Sequence, residues 1–325
     1  METLQLIVAK ALLPFFYPLT AHQRIYWLYL AAALVLAAAV YCVRRRLNPF
    51  RAIPEIGAYL FPWRLIAHRS AIVDYKYFFI NRFAFALLIA PVLLGMPRVA
   101  ETTIGLSGAV FGRYGDYIAG PADSLLYTLC LILAFDAAVF FAHYLQHKVP
   151  VLWEFHKIHH SAEVLTPITV YRMHPMDDVL TGLTVALFVG VVEGVFQSLY
   201  ATMPSLYDVL GVNIVLFAFY MMGYNLRHTH VWLSYPGWVS HIFVSPAQHQ
   251  IHHSMAPRHL DRNMGLIFAF WDAAARTLYV PKSREKLDFG LVDDEHLAFD
   301  SVWQLYVRPF RMLAHRCFPN RVPAP

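Results

Sequence analysis

Charge is scarce in this chain: 14% of its 325 residues are Asp, Glu, Lys or Arg, against about a quarter in an ordinary soluble domain. With 58% hydrophobic residues and a mean hydropathy of +0.46, that deficit excludes a typical water-soluble globule and indicates a membrane protein. Cysteine is scarcer still. Cys42, Cys130 and Cys317 lie far apart, which excludes a thiolate metal site, an iron–sulfur cluster and a disulfide framework. No Gly-x-Gly-x-x-Gly fingerprint is present to hold a dinucleotide, and no His-Glu-x-x-His to supply the general base of a zinc protease. The Glu-x-x-His pairs of soluble di-iron bundles are missing too. The first apolar run, Leu4 to Tyr17, lacks a basic start and a small-x-small cleavage site, so a cleaved signal peptide is not expected. Lys10 and Pro14 leave its form open between an interfacial helix, a tilted span and part of a hairpin.

What the chain has instead is histidine, at 17 positions. His156, His159 and His160 form a His-x-x-His-His cluster, and His249, His252 and His253 repeat it. At this histidine frequency random placement yields about 0.05 such clusters per chain, so two of them are not a by-product of composition. His143 and His147 add a pair at i, i+4, which shares one face of a helix.

Apolar runs of spanning length cover Ile25 to Val43, Tyr77 to Met96, Ser124 to Tyr144, Asp178 to Tyr200 and Ser205 to Asn225. Arg44, Arg45, Arg46, Arg51, Arg64, Arg69 and Lys76 make the loop after the first span strongly basic, which places it in the cytoplasm. Counting spans from there puts every histidine cluster on that same face. The basic pI of about 9.0 is thus explained by orientation, and no nucleic-acid partner is expected. The expected fold is all-α, a polytopic helix bundle with a histidine-rich di-metal site on the cytoplasmic face. Residues 1–123 would form an N-terminal membrane region, 124–282 the catalytic region and 283–325 a cytoplasmic tail.

Neutral imidazole suits iron, zinc, copper and nickel, and four ligands close a structural zinc site. Eight clustered histidines exceed what one ion needs, so two metals are expected. Asp136, in an otherwise apolar span and two turns before His143, is expected to support a ligand imidazole. Asp177, Asp261 and Asp272 are weaker candidates for the same role.

The segments "HYLQH", "WEFHKIHHS", "YRMHP", "RHTHVWLSYPGWVSHIFVSPAQHQIHHS" and "HLDRNMGLIFAFWD" resemble the fatty acid hydroxylase and sterol desaturase superfamily of integral-membrane di-iron enzymes. The resemblance covers about residues 68 to 282 and departs from the usual pattern at Ala274, Ala275 and Arg276. It implies that His143, His147, His156, His159, His160, His249, His252 and His253 are iron ligands. His228 falls where relatives carry a further ligand. His174, in the Arg-x-His-Pro position, and His230 are additional candidates.

The implied reaction is hydroxylation or desaturation of a membrane lipid, a sterol or an alkyl chain, with two iron ions and O2. Its electrons would come from a separate reductase, ferredoxin or cytochrome b5 type protein, since the chain carries no electron-transfer motif of its own. A metal-ion transporter and a membrane zinc hydrolase are the rival readings.

Overall fold

The computed structural model describes residues 12–84, 95–112 and 117–318. The start of the Leu4 to Tyr17 run, residues 85–94 of the expected span Tyr77 to Met96, and the end of the tail lie outside them. The described chain is mostly helical. Its main helices are α1 (Trp27–Arg45), α2 (Ile53–Leu60), α3 (Arg69–Ala84), α4 (Gly95–Phe111), α5 (Pro121–Lys148), α6 (Pro150–His160), α7 (Pro175–Leu199), α8 (Ile214–Met221), α9 (Pro246–His252), α10 (Phe270–Ala275) and α11 (Val302–Cys317). One short antiparallel pair, β1 (Asp208–Val209) and β2 (Val212–Asn213), interrupts them.

Among the described residues, α1, α5 and α7 are long and apolar enough to cross a membrane. They coincide with three of the expected runs. The run Ser205 to Asn225 does not become a spanning helix: it folds as the β1–β2 turn followed by the eight residues of α8. At about 1.5 Å per residue, α8 reaches ~12 Å of the ~30 Å needed. The physical cause lies inside the run. Asp208 accepts the Gly211 N–H at 2.7 Å to close the turn, and Asn213 starts the helix afresh by accepting the Val215 N–H at 3.0 Å. Hydropathy weighs composition and is blind to such caps.

Helix α5 opens on Pro121, with Asp123 accepting the Gly120 N–H at 2.7 Å, and continues through apolar residues for 28 positions. Pro150 ends that run, because it has no N–H to donate into the preceding turn. Helix α6 restarts at the same proline and folds back, so His156 comes within 4.8 Å of His143, ring to ring. Helix α7 packs against α4 and α5. Its contact with α4 is tightest at Gly194, where a Cβ would meet Ser107 Cβ at 2.7 Å. Only the missing side chain permits that approach.

Candidate metal centre

The ends of α5 and α6, the short segment Tyr224–Leu226, α9 and the loop before α10 converge at one end of the bundle. They bring together nine buried or half-buried histidines in two groups. His143, His147, His156, His160 and His252 form the first; His159, His228, His249 and His253 form the second. Within each group the potential ligand atoms lie within 4.8 Å of one another, so each could hold a metal ion. The division cuts across the sequence clusters. On α6, His156 and His160 share one group and His159 joins the other, as the i, i+4 spacing places the outer two on one face. Helix α9 divides the same way, with His252 in the first group and His249 and His253 in the second.

The second ring nitrogens decide what the first group can do. His143 Nδ1 lies 2.7 Å from the Met264 carbonyl, and His252 Nδ1 lies 2.8 Å from the Arg262 carbonyl. A carbonyl oxygen only accepts, so both Nδ1 atoms carry the hydrogen and both Nε2 lone pairs are left free. Those Nε2 atoms, with the Nε2 atoms of His147 and His160, are buried and have no protein partner. His147 Nδ1 is oriented by Asp261 Oδ1 at 3.3 Å, and Lys148 holds the other oxygen of that carboxylate. Asp177 Oδ2 stands 3.7 Å from His156 Nδ1, while its Oδ1 accepts from Gln146 at 3.1 Å.

In the second group the Nε2 atoms of His228, His249 and His253 sit 3.1, 3.1 and 3.2 Å apart. Donors bonded at ~2.1 Å to one ion are separated by about 3.0–3.4 Å, so this triangle matches the edge lengths of a coordination polyhedron. Burial, reinforced by neighbouring imidazoles, holds His156, His159, His160, His249, His252 and His253 well below the usual histidine range. Burial pushes His228 down to about 3. The imidazoles are therefore neutral, as ligands must be. Unpartnered buried nitrogens, neutral rings and convergent geometry all fit a bound metal.

Three candidates are placed differently. Asp136 does not touch His143: it accepts the Ile267 and Phe268 N–H groups at 2.8 and 3.0 Å and Trp271 Nε1 at 3.0 Å. Seven residues put it on the right helix face, but a loop 130 residues away supplies three donors that claim both of its oxygens. His174 joins neither group. Its Nδ1 accepts the Met176 N–H at 3.2 Å, capping α7, and its Nε2 faces the Tyr306 carbonyl at 3.3 Å. His230 likewise stands apart, with Nε2 2.8 Å from the Tyr59 carbonyl.

Asp272, a weaker candidate from the sequence, lies behind the His143 contact, and the supports not foreseen are mainly backbone atoms and arginines. Asp272 accepts the Met264 and Gly265 N–H groups, each at 2.8 Å, and so aims the carbonyl that holds His143. Arg172, fully buried, binds the Ile158 carbonyl, Ser161, Asp74 and the Phe299 carbonyl, pinning the end of α6. Arg227, next to His228, donates to the Val244 and Leu266 carbonyls and lies against the Phe219 ring, 4.7 Å from its centre. A buried arginine reads as a surface charge in sequence; its adjacency to histidine motifs was the available signal.

Residues 128–277 match the sequence model of the fatty acid hydroxylase family. Among curated proteins the chain is similar to alkylglycerol monooxygenases. The one from Caenorhabditis elegans is 26% identical over 194 residues, which is 58% of this chain and 35% of that protein. The one from Danio rerio is 23% identical over 231 residues, 67% of this chain and 47% of that protein. The chain thus spans about a third to a half of the length of these relatives. No solved structure matches at comparable significance. The segment that matches the fatty acid hydroxylase family model, residues 128–277, is the one that carries all nine converging histidines.

Proposed function

We propose that this chain is a multi-pass membrane oxygenase that hydroxylates an alkyl lipid at a C–H bond, with 124–282 as its catalytic region. Nine neutral imidazoles in two closed groups carry the reading. Each group would hold one iron, and the pair would supply activation of O2 with two electrons from a separate donor protein. The alkylglycerol monooxygenase relatives favour an ether lipid or a similar chain with a small head as substrate.

The chain's own residues perform the rest. Met264, Arg262 and Asp261 fix the rings of His143, His252 and His147 so that their Nε2 atoms point inward without reorganisation. A cavity of about 80 Å³ opens onto His143, His156, His159, His228 and His249, and Val139, Val170, Met173 and Leu266 also line it. These apolar side chains would hold an alkyl segment against the histidines.

The cytoplasmic orientation draws support from Arg44. Its guanidinium donates to the Trp232 carbonyl at 2.5 Å, and Trp232 packs on Ala247 and Ile251 of α9, so the basic loop lies at the histidine end. Ion transport gains no such support. The histidines form closed groups at one end of the bundle, and Asp136, the deep carboxylate of α5, is consumed by three N–H donors.

The test is metal analysis with oxygen uptake on the purified, reduced protein. Two iron per chain and lipid-dependent O2 consumption are expected; a reproducible single metal with all histidines intact overturns the di-iron reading.

A further inference from the structure

Beside the histidine cavity lies a second one of about 160 Å³ with a different lining: His22, Gln23, Arg24, Arg82, Tyr171 and Asp178. The two share Arg24, Val170 and Met173 as wall residues, so the polar chamber adjoins the chamber onto which the histidines open. Arg82 and Asp178 form an ion pair at 2.9 Å with side chains only 13% and 24% exposed. Arg24 is flanked by the phenols of Tyr171, Tyr220 and Tyr224, and among the described residues it ion-pairs with no carboxylate. Two guanidiniums against one carboxylate leave a surplus of positive charge and N–H donors. Tyr171 and Gln23, 3.5 Å apart, add neutral donors and acceptors.

Charged groups half-buried in an otherwise apolar bundle are costly. Arg172 and Arg227 illustrate the contrast: each is fully buried, with its donors spent on backbone carbonyls or a carboxylate. Arg24, which hydrogen-bonds Tyr220, and Arg82, which pairs with Asp178, also line open volume.

We propose that this polar chamber holds the oxygen-bearing head of the lipid substrate, with Arg24 as the anchoring donor. This deepens the oxygenase reading and rests on it. The shared chemistry is a small head rich in acceptor oxygens, either the hydroxyls of a glycerol ether or the carboxylate of a fatty acid. A water occupies roughly 30 Å³ in the liquid, so about 160 Å³ admits a head of a few heavy atoms and rejects a bulky one. Because the chamber adjoins the cavity onto which the histidines open, a head seated there would place the carbons next to it in that cavity. Oxidation therefore falls beside the head and not in the middle of the chain.

The experiment measures binding first, without turnover. Full-length protein in lipid nanodiscs is titrated with 1-O-hexadecylglycerol, palmitate and hexadecane, reading the ligand-induced rise in Tm. At least one of the two headed lipids is expected to bind ~10-fold or more tightly than hexadecane, and which one does names the head. Arg24→Gln should lose that advantage and Arg24→Lys retain part of it, with metal content unchanged in both. Equal binding of hexadecane to the native protein overturns the proposal without recourse to any variant. So does a well-folded Arg24→Gln protein that binds the headed lipid as tightly as the native one.

Product mapping then separates this proposal from the functional reading. Hydroxylation within the first few carbons from the head supports it, and mid-chain hydroxylation overturns it while leaving the oxygenase intact. Tight, Arg24-dependent binding with no oxygen uptake leaves the chamber standing and removes the oxygenase.

Discussion

At the scale of the residue, each imidazole depends on what its other nitrogen meets. His252 and His253 are neighbours in sequence and point into different groups, so their loss should be distinguishable. His252→Ala and His253→Ala are each expected to abolish oxygen uptake, with iron falling from two toward one per chain and the fold kept; elemental analysis with circular dichroism checks both. Asp136 acts on a different object. With two backbone N–H groups and an indole N–H on its oxygens, Asp136→Asn turns an acceptor into a donor facing donors, a loss of about 1–3 kcal/mol. A lower Tm is expected with most iron retained per folded molecule. Iron loss as complete as in His143→Ala would place Asp136 in the ligand machinery after all.

At the scale of the element, α9 is the part most exposed to test, because its seven residues carry candidate ligands for both groups. Ser245 and Gln248 cap its start reciprocally, and Gln250 ties it to the His228 segment by donating to the Leu226, Thr229 and Val231 carbonyls at 2.9, 3.0 and 2.8 Å. Gln250→Leu removes this donor from the Thr229 and Val231 carbonyls, while the Leu226 carbonyl keeps the Thr229 hydroxyl. The variant should lose metal from the second group preferentially and melt lower, which Mössbauer or iron counting can follow. The start of α7 has its own signature. Burial, opposed by the contact with the Tyr306 carbonyl, lowers His174 to about 4, and protonation would put a hydrogen on the Nδ1 that accepts the Met176 N–H. The unfolded state, with a pKa near 6.5, binds that proton first, so stability is whole above about 6.5 and is lost as pH falls toward 4. His174→Asn keeps the cap and should flatten this slope by up to ~1.4 kcal/mol per pH unit, seen as Tm against pH.

At the scale of the whole molecule, the metals would cross-link α5, α6, the His228 segment and α9, adding to the packing and hydrogen bonds that already join them. A ligand that binds only the folded state stabilises it by about 4 kcal/mol at a thousandfold excess over its Kd. Stripping iron with a strong chelator should therefore lower Tm by several degrees and restore it on reloading. An unchanged Tm would mean that the bundle holds the histidines in place without help.

Much of this was open to reading from sequence. Low charge, long apolar runs and spaced histidines determine a helical membrane protein with clustered histidines that could hold metal, because composition sets solvent preference and i, i+3, i+4 spacing sets which side chains share a face. The tertiary structure alone decided how nine histidines divide into five and four, that Asp136 serves a loop and not His143, that His174 caps a helix, and that Ser205 to Asn225 turns back short of a span. The division of the histidines turns on how distant helices meet, the place of Asp136 on N–H groups distant in the chain, and the other two on local caps. Backbone carbonyls and N–H groups are the same in every residue except proline, so the sequence carries no mark of which ones a side chain will find.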